Sequence, residues 1–354
     1  MLKIMKNYFS VISLTLGFAL LLLIFGCSSP GVKVLPPLPE TSEFIQNAAT
    51  VKTSFDTLKN TVAFISSDTY DVYRHAPQEL ASRMKMVGIK QCFLILSEHT
   101  PKHLGENDLR QLIVALKQQE ISFCLAFDPR SFYNQGQRWL VRPQNVDKNS
   151  KLFSQINQFM TFNDASEPDA KFNGIAIILA PQLMRSSTKN NHLYAWSEKN
   201  YGVGLDNDKL TVAAVQLSKK IAQLVKPLKF TVIIPDFIHI KATEGKLSTG
   251  RVEDFAGFTD QLIVMAFAPS LKETLAKISQ HAKVAATLDL ELIPCILAHN
   301  DHYREITDSI CNRSFADFAT DLQTTMPEFI DDRGIDGIAV IYWRGLEILL
   351  EKFN

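Results

Sequence analysis

The chain has 354 residues, with 37 Lys and Arg set against 37 Asp and Glu. That balance excludes a nucleic-acid binder working through bulk positive charge, and 46% apolar against 21% charged residues excludes global disorder. Five Cys are too few for a disulfide-framed fold, and the length suits either two domains or one large barrel.

At the N-terminus, Lys3 and Lys6 precede an apolar run from Val11 to Phe25. The run is short for a membrane span and reads as the core of a signal peptide. It closes on Ile24-Phe25-Gly26-Cys27, followed by Ser28 and Ser29. This segment resembles a bacterial lipobox, although Phe25 stands where a small residue is usual. The resemblance implies cleavage before Cys27, diacylglycerol on its sulfur and a further acyl chain, such as palmitate, on the new amino group; two or more chains anchor stably where one does not. Residues 1–26 are therefore expected to be a lipoprotein signal peptide and residues 27–60 a lipidated Cys and flexible tether. Pro30, Pro36, Pro37 and Pro39 favour an extended backbone in that tether. Ser28 in place of Asp suits outer-membrane sorting, so the resemblance places the protein in the bacterial cell envelope, lipid-anchored at the outer membrane. Loss of Lys3 and Lys6 leaves a nearly neutral chain, so lipid rather than a polybasic patch must hold it.

Beyond residue 60, eight apolar runs alternate with amphipathic stretches. The runs are 62–66, 92–96, 123–127, 174–179, 230–234, 261–267, 292–297 and 337–342, each rich in Ile, Val, Leu or Phe without polar alternation. Such runs suit parallel strands covered on both faces. Helical spacing appears over 77–87, 108–119, 152–162, 209–225, 271–288 and 315–330, and weakly over 241–258. The alternation predicts βαβ units, and eight of them predict an α/β fold with a single (β/α)8 TIM barrel over residues 61–354. A doubly wound open sheet is the runner-up, but it lacks the Gly-rich turn expected after the first strand. Cys92, Cys124 and Cys295 fall inside strands as small core residues, with a Cys92–Cys124 disulfide left open.

Function in such a barrel sits at the C-terminal ends of the strands. All three Trp map there: Trp139 after strand three, Trp196 after strand four and Trp343 at the end of strand eight. With Tyr194 and Tyr342, they offer flat apolar faces with polar edges, a surface that suits sugar rings; packing of long loops explains them equally well.

The fourth strand reads Phe172-Asn173-Gly174-Ile175-Ala176-Ile177-Ile178-Leu179-Ala180. It resembles the strand-four signature of family-18, chitinase-like glycoside hydrolases, F-D-G-x-D-x-D-x-E, with Phe and Gly kept and the acids replaced by Asn173, Ala176, Ile178 and Ala180. Strand six, from Asp260 to Ala268, is similar to the family's D-x-I-x-V-M-x-Y-D; it keeps Asp260 and Met265 but carries Phe267 and Ala268. Strand eight resembles the family's last strand, whose Trp floors the sugar site, a role that falls to Trp343. The resemblance implies a glycoside-hydrolase-like barrel. It also implies loss of family-18 chemistry, because Ala180 cannot protonate a leaving oxygen and Ile178 cannot steady a cation.

Glycoside hydrolysis would then need relocated carboxylates about 5–10 Å apart. Asp128 after strand three, Asp236 after strand five and Asp301 after strand seven are the catalytic candidates, with Glu98 after strand two as a further ligand contact. Each could equally be a turn or capping residue. The leading expectation is an envelope lipoprotein whose barrel binds or processes a cell-envelope or extracellular glycan. An alternative is a catalytically inactive scaffold using the barrel face to hold an envelope protein partner. A second alternative is a metal-dependent hydrolase using His299, Asp301 and His302, with Asp68 or Asp236 joining across the barrel. No metal site or cofactor is assigned, and no nucleic-acid partner is expected.

Overall fold

The computed structural model describes residues 41–96, 104–129, 150–180, 208–299, 308–331 and 334–351. Cys27, Glu98, Trp139, Tyr194, Trp196 and Asp301 lie outside them. Eight parallel strands close into a barrel in chain order: β1 (Asn60–Ile65), β2 (Gln91–Leu96), β3 (Ser122–Phe127), β4 (Gly174–Ile178), β5 (Lys229–Pro235), β6 (Gln261–Met265), β7 (Glu291–Leu297) and β8 (Gly337–Ile341). The chain is thus a (β/α)8 barrel, as the alternating runs predict. The register slips by two residues between Ser122 and Cys124, two between Lys229 and Thr231 and four between Glu291 and Cys295. Together these make the stagger of eight that this barrel type requires to close.

The helices, in chain order, are α1 (Ser42–Phe55), α2 (Ser67–Tyr73), α3 (Pro77–Val87), α4 (Glu106–Gln118), α5 (Lys151–Asp164), α6 (Asp208–Val225), α7 (Asp236–Thr243), α8 (Val252–Ala256), α9 (Leu271–Thr287), α10 (Phe315–Asp331) and α11 (Trp343–Leu350). Six match the stretches read from spacing. The weak stretch at 241–258 resolves into two short helices, α7 and α8. Within the segment expected as tether, residues 42–55 are instead helical. Thr41 Oγ1 caps α1 by accepting from Phe44 N at 3.0 Å, and Phe44, Ala48, Val51 and Phe55 are buried along one side. Asn47 Nδ2 donates to the Leu350 carbonyl at 2.8 Å, joining the first helix to the last.

Strand alternation divides the core in two. Outward-facing residues such as Ala63, Leu94, Ile177 and Val264 pack with the helices. Inward-facing residues such as Val62, Phe93, Cys124, Ala176, Ile233, Ile263, Ile293 and Ala339 fill the barrel, as a packed core rather than a pore. Cys92 belongs to the outer layer and Cys124 to the inner one. Both thiols are free, since adjacent positions on opposite faces of a sheet cannot bridge.

The floor of the barrel is polar. Glu291 accepts from Lys229 Nζ at 2.7 Å, from Gln261 Nε2 at 2.9 Å and from Asn60, while Gln261 also reaches Gln91 and Thr231. These side chains all sit at strand starts, where they satisfy one another away from the mouth.

Candidate functional site

Three residues preceding even-numbered strands do the same job. Asn173 Oδ1 accepts from Phe123 N at 2.9 Å, Asp260 Oδ2 from Phe230 N at 2.7 Å and Asp336 Oδ2 from Leu292 N at 3.2 Å. Each braces the start of the preceding strand, satisfying a backbone donor before the ladder begins. Gly174 has a packing cause too: a Cβ there would stand 2.6 Å from the Lys229 carbonyl oxygen. Gly174 and Asp260, kept from the strand-four and strand-six patterns, and Asn173, which stands in for an acid, therefore serve barrel closure at the end opposite the mouth.

The replaced residues sit at the other end. Ala176, Ile178 and Ala180 belong to the inner cluster and are at most 4% exposed. Period-two alternation puts all three on the interior line of β4, where ionisable groups would face a ligand. No proton can be given or taken along that line.

At the mouth, Ile95, Phe267 and Tyr342 are half-buried and pack on the inner cluster from β2, β6 and β8. The His299 ring lies 5.7 Å from the Tyr342 ring in a tilted arrangement. Ser309 fixes the His299 backbone, its hydroxyl donating to the carbonyl at 2.8 Å and accepting from the amide at 2.9 Å. Half-buried aromatic edges beside an imidazole can hold a flat, amphipathic ligand by stacking and hydrogen bonding.

Of the candidate acids, Asp128 and Asp236 follow β3 and β5 and are half-buried. One strand separates them, so their strand ends stand about 10 Å apart, at the wide limit for paired carboxylates. Asp236 is the first residue of α7, and its Oδ1 accepts from Phe237 N at 2.8 Å. Burial holds its carboxyl above the ordinary carboxylate range, against the pull of Lys277 and with help from Asp308.

Trp343 does not floor the mouth. It is the first residue of α11, fully buried in the outer layer with the helices, and its Nε1 has no hydrogen-bond partner. The chain leaves the barrel at Ile341, so the interior at the end of β8 belongs to Ile341 and Tyr342. Against the family pattern Phe267 is only a departure; its place two residues beyond inward-facing Met265 is the signal that it reaches the mouth. For the metal reading, Asp301 and His302 lie outside the described residues, and no group of three His, Cys, Asp or Glu among the described residues could hold an ion.

No family model matches the sequence, and no curated protein matches it. Solved structures match in fold. The C-terminal domain of a putative chitinase from Desulfitobacterium hafniense is 9% identical, with 83% of this chain and 98% of that one covered and a TM-score of 0.49. A chitinase from Rhizomucor miehei is 10% identical, with 82% and 98% covered and a TM-score of 0.48. A deoxyribose phosphate aldolase from Aeropyrum pernix is 12% identical, with 88% and 97% covered and a TM-score of 0.42. Function has to be argued from the site.

Proposed function

We propose that this protein is an envelope lipoprotein whose barrel mouth binds a cell-envelope or extracellular glycan and does not cleave it by family-18 chemistry. One observation carries the reading. The interior line of β4 ends in Ala176, Ile178 and Ala180, while Phe267, Tyr342 and His299 keep a half-buried aromatic rim above it. The rim supplies stacking faces, and Asp128 and Asp236 supply acceptors for sugar hydroxyls. Cleavage would need those two acids to take over as a widely spaced pair. The burial of the Asp236 carboxyl suits a proton donor, and this is the specific observation in favour of a relocated hydrolase. Cys27 would carry the lipid that holds the barrel at the membrane.

Binding of peptidoglycan fragments, chitin oligomers and exopolysaccharide to the purified full-length protein tests the reading. A saturable isotherm weakened at least tenfold in Tyr342→Ala, with unfolding temperature unchanged, is the expected result. Absence of binding to every glycan would overturn the reading and leave the protein-scaffold alternative.

A further inference from the structure

Behind the β5–β6 side of the mouth, two histidines meet in the layer between barrel and solvent. His239 on α7 is 2% exposed and His281 on α9 is fully buried, with ring centroids 4.5 Å apart. His281 Nε2 stands 2.9 Å from the Asp236 carbonyl oxygen. A carbonyl only accepts, so that nitrogen carries a proton; Nδ1 is buried with no partner among the described residues, where an N–H would go unsatisfied, so it is bare. His239 Nδ1 accepts from Val252 N at 3.2 Å, so it too is bare. The pair thus pins two backbone points, the end of β5 and the start of α8; the His239 pin requires a neutral ring, while the His281 pin is a donor in either state.

The surroundings offer little to hold a proton there. From α8, Glu253 favours a charged His239 and Arg251 opposes it. On α9 itself, Lys277 precedes His281 by about one turn and faces the Asp236 carboxyl. The Asp321 carboxylate of α10 is committed to Leu271 N at 2.8 Å and Arg313. Strand β7 turns apolar Leu292 and Ile296 toward α9.

We propose that His239 and His281 form an acid-released latch: protonation of the pair removes the acceptor for Val252 and sets two cations against each other, freeing the segment from the end of β5 to α8 at the edge of the mouth. Burial lowers the basicity of both rings, and for His281, held to about 4, the neighbouring His239 lowers it further. Opening the segment returns both rings to water, where histidine titrates near 6.5. Through His281 alone, the open form is then favoured about twentyfold more at pH 5 than at neutrality.

Hydrogen exchange on the full chain at pH 7.5 and pH 5.0, corrected for intrinsic exchange rates, tests this. Residues 236–256 should open at least tenfold more at pH 5.0 in the wild type. In the double variant His239→Asn with His281→Gln, the Asn oxygen can still accept from Val252 and the Gln amide can still donate to Asp236, so no acid response is expected. An equal response in the variant, or none in the wild type, would overturn the latch. Should the double variant not fold, imidazole NMR titration of the wild type decides. Midpoints below the ordinary histidine value are expected for both rings, and ordinary midpoints for both would overturn the proposal.

Discussion

Glu347 on α11 is fully buried and serves three donors: Arg83 Nε at 2.7 Å, Arg344 Nη1 at 2.6 Å and the Tyr73 hydroxyl. Arg83 also reaches Glu351 at 2.8 Å and lies 4.0 Å above the Phe44 ring. Removing one member of such a group leaves buried charge unmatched, so Glu347→Gln should cost about 3 kcal/mol in urea unfolding; a loss within about 0.5 kcal/mol would show that the cluster adds nothing. Asp236 has the opposite sign. Its folded carboxyl is held above the ordinary range, so the charged form is penalised at neutral pH. Asp236→Asn should therefore raise the thermal midpoint at pH 7, with the gain vanishing as pH falls through the carboxylate range; a lowered midpoint would mean that the charge is needed. At this scale the sequence misleads in identifiable ways. Trp343 is one residue past Tyr342, and that single step into α11 moves its ring from the mouth to the outer layer. Nothing local marks the Arg83–Glu347 pair, whose members lie 264 positions apart.

Among elements, all eight strands were legible within two residues, since buried parallel strands are continuous apolar runs bounded by polar starts. α1 was hidden by the Pro-rich segment before it, which pulls the whole stretch toward a tether reading. Its signal was nevertheless present: Thr41 as cap, then Phe44, Ala48, Val51 and Phe55 at helical spacing. The Thr41 hydroxyl donates to Glu351 at 2.7 Å, and the Phe44 ring is fully buried. Phe44→Ala should cost about 3 kcal/mol by cavity formation, measured by denaturant unfolding. A chain starting at 41 should retain wild-type stability, and one starting at 57 should lose most of it; equal stability of the two would return α1 to the tether. The braces Asn173 and Asp260 show why part of a family pattern can survive without its chemistry: Gly174, Asp260 and the amide Asn173 close the barrel floor, while the acids replaced by Ala176, Ile178 and Ala180 belonged to the interior line toward the mouth.

For the whole molecule, pH and anchoring are the handles. A histidine with lowered basicity in the folded state binds fewer protons there than when unfolded, so stability is lost as pH falls from about 6.5, the unfolded value. For His281, held to about 4, that loss is on the order of 3 kcal/mol once pH reaches the folded value, and thermal melts between pH 7 and pH 4 should record it; a flat profile would contradict the neutral pair. In cells, Cys27→Ser should move the protein from the membrane to the soluble fraction, and retention would contradict the lipid anchor. The central claim joins a retained cleft to absent chemistry, and one sample can test both. The full-length protein is titrated with a glycan that it binds, then incubated at equimolar ratio, and the sugar is analysed by mass. Saturable binding with the glycan recovered intact is the predicted result; shortened glycan would contradict the account and make Asp128 and Asp236 the first residues to replace.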